Sequence, residues 1–253
     1  VIGSDAYVGG LIDMGSGHLH PLNLCRGEAK AASDLGVKIF EGTKVEKYTP
    51  GETIVIKTTN GEVRAKQLIL AGNAYLGELA PKIAHKILPA GSYIIATEPL
   101  SESVYKSLLP NNHAVCDQKI ELDYFRLSAD KRLLFGGLCN YSARDPKNIA
   151  ATLTPKMLSV FPELADVNID FQWGGMIGIG ANRLPQIGRL DHNIYYAQAY
   201  SGHGVNITHV AGKILAEAIS GESSLIKHFE KVKHFTFPGG KHLRSPLLAM
   251  GMM

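Results

Sequence analysis

The sequence is poor in what would set it apart from ordinary globular proteins. Its 253 residues hold three cysteines, Cys25, Cys116 and Cys139. An odd count with no close pair excludes a disulfide framework and a cysteine-based zinc site, and it fits a reducing, cytoplasmic compartment. Charge is sparse: 19% of residues are charged and the net charge is +3, with no dense basic run, which argues against a nucleic-acid partner. No apolar run reaches the roughly 20 residues that span a bilayer, and the first residues lack the charged-then-apolar layout of a signal peptide. Met is absent from the first position, and Val1 opens an apolar, glycine-rich stretch. The chain therefore reads as a piece of a longer protein.

What is present is a core-forming composition, 45% hydrophobic, enough for one large domain or two interleaved ones. "PLNLCRGEAKAASDLGV" predicts a helix with Pro21 in its first turn, Gly36 at its end and an apolar stripe of Leu24, Cys25, Ala29, Ala32 and Leu35. "VKIFEGTKVEKY" predicts a strand pair, and "TIVIKTT" with "GEVRAKQLILAG" a hairpin around Asn60-Gly61. The run from Gln67 to Ala71 predicts a strand with both faces covered. From Ile87 to about Leu138, short runs split by Pro, Gly and Asp predict an antiparallel sheet. "DPKNIAATLTPKMLSVFPEL" returns to helix, with a break or a second start expected at Pro155, and "VNIDFQWGGMIGIG" is strand-like. The order is α/β, then a β-rich insert, then α/β again, a mixed α/β (α+β) class with two domains interleaved along the chain.

The most informative stretch is "YYAQAYSGHGVNITHVAGKILAEAISG". It reads as an apolar strand, a glycine turn and an amphipathic helix, with Val205, Ile207, Val210, Ala211, Ile214, Leu215 and Ala218 on the buried face. Two glycines in the turn clear space beside the backbone, and a helix starting there aims unpaired N–H groups and a positive dipole end at whatever covers it. Such a corner suits a phosphate, a carboxylate or another electron-rich group. His203, within the turn, either bonds its own backbone or lies against that group. "GIGANR" fails as a dinucleotide fingerprint, because the third glycine is absent and Pro185 blocks the helix that should follow. His18 and His20 lack a third ligand at sensible spacing, so capping or pocket-lining is preferred and no metal is expected. Tyr124 and Arg126 alternate on one strand face with Leu122, a pairing that anchors a carboxylate or makes a surface ion pair. Tyr93 and Trp173 read as pocket wall or core. No Ser-His-Asp, Cys-His or paired-carboxylate arrangement stands out, so any chemistry would come from a bound cofactor.

"GHLHPLNLCRGEAKAASDLGVKIFEGTKV", "LILAGNAYLG", "WGGMIGIGANRLPQIGR", the strand–turn–helix above and "FPGGKHLRSPLLAMGM" carry a resemblance. In that order, over nearly the whole chain, they resemble the FAD-dependent amine and amino-acid oxidoreductases of the D-amino-acid oxidase/glycine oxidase superfamily. The resemblance implies FAD as cofactor, with Val45 at its adenine end through the backbone. Ala71, Gly72 and Asn73 would follow a strand passing the cofactor, and Gly175 and Pro185 would border the isoalloxazine ring. Ser201, Gly202, His203, Gly204, Val205 and Asn206 would close over its pyrimidine edge. Catalytic candidates are His203, Tyr124, Arg126, Tyr93 and His20. The implied division is residues 1–86 as a partial FAD-binding domain with the start of a substrate domain, 87–172 as the β-rich substrate domain and 173–253 as the rest of the FAD-binding domain. The implied reaction passes a hydride from a small-molecule amine, for example a gamma-glutamylputrescine-like one, to FAD. Imine hydrolysis follows, and O2 or another electron acceptor takes the electrons, giving H2O2 in the case of O2. A dehydrogenase feeding a quinone or carrier is the alternative. A silent fragment or assembly subunit, for which the apolar tail "SPLLAMGMM" speaks, is another, and a homo-oligomer is compatible with any of them. Two departures stand out: Ala199 replaces the family's usual Gly, and the family's N-terminal G-x-G-x-x-G unit is missing, so FAD is expected to bind weakly or not at all.

Overall fold

The computed structural model describes residues 1–119, 122–141, 145–222 and 224–239. The apolar tail singled out above lies outside the described residues. The chain groups into two compact units, one of Val1–His20 with Gly91–Gly175, the other of Pro21–Ala90 with Met176–Met253.

The second unit begins with α1 (Pro21–Asp34). It ends as the sequence predicts: Gly36 takes φ +91°, its N–H bonds the Ser33 carbonyl, and the Val37 N–H reaches the Ala32 carbonyl. The stripe of α1, however, is not buried. No residue of the helix is fully buried: Leu24, Ala29 and Ala32 are half-buried, and Leu35 is 86% exposed. The strand expected before β1 (Val45–Thr49) is likewise absent, and Val37, Ile39 and Phe40 are exposed coil. β1, β2 (Ile54–Thr58) and β3 (Gly61–Ala65) form an antiparallel meander. Its hairpin loop is Thr59-Asn60, with Gly61 opening β3 opposite Thr58.

β4 (Leu68–Leu70) pairs in parallel with β11 (Ile194–Gln198), which pairs antiparallel with β10 (Gln186–Asp191). β4 was expected inside a sheet with both faces covered. Among the described residues it is an edge strand with β11 alone beside it, and Ile69 is 45% exposed while Leu70 is 5%. On one side of this sheet Leu70, Ile194 and Tyr196 bury against Leu76, Ala80 and Ile83, the last on the short α2 (Pro81–Ala84). On the other, Ile187, Tyr195 and Ala197 bury against α5 (Gly204–Ile219) and α6 (Ser224–Glu230).

In the first unit, a sheet of β5 (Ile87–Thr97), β6 (Val115–Cys116), β7 (Tyr124–Leu127), β8 (Leu133–Asn140) and β9 (Ile169–Gly180) runs in the order β6-β7-β8-β5-β9. Strands β5 and β9 carry the chain between the two units. Phe125 lies between Phe135 (5.7 Å, parallel) and Phe161 (5.1 Å, edge-on), and with Tyr93, Ile95 and Leu133 forms the buried face. That core is closed by α4 (Ile149–Val160). Pro155 does not break α4, contrary to expectation. A proline inside a helix costs about 3 kcal/mol, but α4 buries Leu153, Met157 and Val160, each worth about 1.5–3 kcal/mol. Asn148 also caps its first turn by accepting the Ala151 N–H at 2.9 Å. A helix that sequence texture hid, α3 (Glu102–Leu108), interrupts the β-rich region; Ser101 caps it, and Lys106 stands one turn beyond Glu102.

This unit also concentrates depressed carboxylates. Lys131 and Lys106 hold Glu102 down to about 2. For Asp117, burial is outweighed by N–H groups of Asp123 and Lys119 and by the Lys119 ammonium, and the carboxyl falls below its ordinary value. Ser128 and Arg132 do the same for Asp130. A carboxyl depressed in the folded state stabilises it above the unfolded pKa, and that stability drains as pH falls through the folded one. The urea midpoint is therefore expected to hold near neutrality and drop steadily between about pH 4.5 and pH 2. A midpoint flat across that interval would show that these pairs contribute nothing net.

Candidate functional site

β4 and β11 run parallel with Leu70 opposite Tyr196, so their carboxyl ends, Ala71-Gly72-Asn73 and Ala197–Ala199, emerge side by side. In open α/β sheets this end of the strands is where ligands sit. The knot that joins them is Asn73. It takes φ +43° at the head of a 3-10 turn, Asn73–Tyr75, and its Oδ1 accepts the N–H of buried Ala199 at 2.9 Å. Gly178, near the end of β9, lies so close that a Cβ there would collide with the Asn73 amide. The Ser201 N–H donates to the Gly178 carbonyl at 3.0 Å, and the Gly180 N–H reaches Ser201 Oγ at 3.3 Å. Tyr75 Oη accepts the Met176 N–H at 2.7 Å.

Above the knot the chain turns through left-handed positions at Ala199 (φ +62°), Ser201 (φ +52°) and Gly202 (φ +94°) before α5 begins. Ala199 thus occupies a conformation that favours glycine, which gives its departure from the family's pattern a physical meaning. Among the described residues no side chain caps α5: His203 is the N-cap residue and is exposed, and its ring makes no bond to the helix amides. Among the described residues nothing lies within 4 Å of the place a Cβ on Gly202 would take. The first turn of α5 therefore presents backbone donors and the positive dipole end outward. Val205 is 51% exposed and Val210 is exposed too, correcting the expected buried face. At 100° per residue both fall off the arc of Ala211, Ile214, Leu215 and Ala218 that packs on the sheet.

Val45, Ala71 and Gly72 line one open cavity of about 810 Å³, with Tyr48, Leu70 and Tyr75. That lies within the range of about 300–1,000 Å³ usual for small-molecule sites. Asn73 lines a smaller one of about 120 Å³, beside His85, whose buried Nε2 has no hydrogen-bond partner among the described residues. Ser201, Gly202, His203, Gly204, Val205 and Asn206 line neither cavity and form a surface corner instead. Pro185 follows the turn Gly180–Arg183, closed by the Arg183 N–H on the Gly180 carbonyl, so "GIGANR" is the end of β9 running into a turn. Tyr48 and Tyr75 were missed by sequence reasoning; an isolated tyrosine outside any motif carries no local signal of a cavity.

Gly175 is an exposed residue of β9, the last of the first unit, and that unit holds the remaining candidates. Tyr93 is core, its hydroxyl donating to Asp145 Oδ1 at 2.9 Å. Tyr124 and Arg126 share the half-buried face of β7, as alternation predicts. His20 lies in the exposed coil before α1. Among the described residues no group of three or more His, Cys, Asp and Glu could hold a metal, and no helix is long and apolar enough to cross a membrane.

The family profile described as FAD dependent oxidoreductase matches residues 2–218. Gamma-glutamylputrescine oxidoreductase of Escherichia coli is 46% identical over 251 residues, covering 99% of this chain and 59% of that protein. A probable oxidoreductase, OrdL, of Haemophilus influenzae is 45% identical, with 99% and 58% covered. Among solved structures, glycine oxidase from Geobacillus kaustophilus superposes with a TM-score of 0.72 at 17% identity, over 84% of this chain and 58% of that one. The chain thus spans a little under three-fifths of the length of these relatives.

Proposed function

The chain belongs to the FAD dependent oxidoreductase family, and from that premise we propose that it serves the oxidation of a small-molecule amine or amino acid at the carbon beside nitrogen. The observation that carries this reading is the uncapped start of α5, pinned through Ala199 and Asn73 to the carboxyl end of β4. Among the described residues three features suit a flavin dinucleotide: outward amides at α5, empty space over Gly202, and the cavity edged by Val45, Ala71 and Gly72. FAD, when bound, supplies the two-electron acceptor for the C–H bond. The protein's part is to bind and orient. Amides of Gly204, Val205 and Asn206 would hold the oxygen-bearing rim of the ring and stabilise negative charge there. Backbone groups at Val45 and the Ala71-Gly72 turn would hold the adenine end, while Asn73 keeps the two regions in register.

The first substrate to try is a gamma-glutamyl polyamine conjugate, following the name of the Escherichia coli relative. O2 is proposed as the final acceptor and the cytoplasm as the compartment, in keeping with the free, exposed thiols of Cys25 and Cys116. Anaerobic mixing of the flavin-loaded full-length protein with a panel of polyamine conjugates, diamines and amino acids should bleach the flavin with at least one of them. Readmitted air should restore the colour with release of peroxide. Bleaching that only an artificial dye reverses would move the reading to a dehydrogenase, and no bleaching with any amine would end it.

A further inference from the structure

Past α6 the chain continues as coil, residues 231–239, against the loop that follows β9. Asn182, on that loop, makes the joint. Its Oδ1 accepts the Leu184 N–H at 3.2 Å and its Nδ2 donates to the Lys233 carbonyl at 3.1 Å. Neither partner can change its role, so the orientation of the amide is fixed. The other hydrogen of Nδ2 faces His234 Nδ1 at 3.3 Å. Nδ1 must then accept, and the proton of the neutral ring sits on Nε2. That nitrogen is buried and has no hydrogen-bond partner among the described residues. Three residues on, the Phe237 N–H donates to the His85 carbonyl at 3.1 Å and ties down the far end of the segment.

A second proton on His234 would turn this joint from attraction to repulsion. An Nδ1–H would meet the N–H of Asn182, and a half-buried cation would stand near the Lys86 ammonium, in the link between α2 and β5. Burial first, and Lys86 second, hold the ring below its ordinary pKa. Among the described residues no carboxylate bonds the ring to offset that charge: Glu230, at the end of α6, is taken by Arg189. Arg183 on the loop and Lys233 on the segment are exposed. The loop in turn holds the corner before α5, for the Gly180 N–H reaches Ser201 Oγ at 3.3 Å and the Ser201 N–H donates to the Gly178 carbonyl at 3.0 Å. His234, Asn182, Gly180 and Ser201 therefore lie along one run of contacts inside the second unit.

We infer that residues 233–237 are an acid-sensitive strap: neutral His234 closes it on the loop after β9, a second proton on the ring releases it, and release loosens the corner at Ser201. Its effect on flavin rests on the function proposed above; the strap itself does not. Hydrogen exchange by mass spectrometry on the flavin-loaded full-length protein, corrected for the intrinsic pH dependence of exchange, reads it in peptides carrying Leu184, Ser201 and Phe237. Their protection should hold above about pH 6.5 and fall by up to about tenfold per pH unit below it, until the folded ring itself titrates. Peptides of β5 and β8 should keep theirs, since the carboxylate losses begin only near about pH 4.5. His234→Asn keeps an acceptor and cannot take the proton, so its protection should stay level down to about pH 5, with His85 still in place. Lys86→Gln should move the release to higher pH. FAD affinity, read by fluorescence titration over the same range, should fall with the release in wild type and hold in His234→Asn. Protection that is level in wild type, or that falls equally in His234→Asn, overturns the strap. Release with FAD affinity unchanged would uphold the strap and take the α5 corner away from the flavin. A protein that takes up no FAD would remove the function proposed above, and exchange on that protein would still decide the strap.

Discussion

Aspartate in place of His203 is expected to make the protein more stable and its flavin chemistry poorer. The position is the N-cap of α5 and holds no side-chain cap. A carboxylate there accepts the N–H groups of Val205 or Asn206 and meets the positive dipole end, worth up to about 1 kcal/mol. If those amides serve the flavin rim, the new cap takes them, and its charge opposes the charge the ring gains on reduction. FAD affinity is then expected to fall by tenfold or more, about 1.4 kcal/mol for each factor of ten. Thermal melting without FAD and fluorescence titration with FAD read the two effects separately. His203→Asn, a cap without charge, divides occupancy of the amides from repulsion. A higher melting temperature with FAD affinity untouched would mean the start of α5 does not face the cofactor.

Alanine at Gly178 is expected to be the most damaging small substitution near the site, at about 2–6 kcal/mol. Its Cβ would occupy the position of the Asn73 amide. Overpacking of this kind typically costs about 1–3 kcal/mol. Displacing Asn73 adds a second penalty, since the Ala199 N–H would lose its acceptor in a buried position, about 1–3 kcal/mol more. Urea unfolding of Gly178→Ala, Asn73→Ala and the double variant forms a cycle. Once the amide is gone the added methyl has room, so the double variant should lose clearly less than the two single losses together. Strict additivity would place the strain elsewhere.

The parts of the fold that could be read in advance share one property: their signal is local. Helix α1 announces itself by Pro21, its stripe and Gly36, and the structure returns Pro21–Asp34 with Gly36 left-handed. The β2–β3 hairpin, the run of β9, the antiparallel texture around β7 and β8 and the start of α5 behind its glycines were legible for the same reason. Errors came where a local rule was outvoted. Pro155 sits inside α4 because three buried side chains outweigh one lost hydrogen bond. The two-turn α3 was too short for its period to show. The stripe of α1 and the run Val37–Phe40 predicted burial, but burial depends on what lies opposite.

Of the site, the residue types along the chain determined which corner to examine: glycines before a long helix, Ala71-Gly72-Asn73 after a strand, and a family to which the whole pattern belongs. Tertiary structure alone decided that Asn73 accepts a hydrogen bond from Ala199, 126 positions away, and that Arg126 Nη1 comes within 3.5 Å of His18 Nδ1, 108 positions away. The division is physical. Backbone conformation answers to near neighbours through sterics and periodic burial, whereas a hydrogen bond between distant side chains exists only once folding has met the entropy of closing the loop between them.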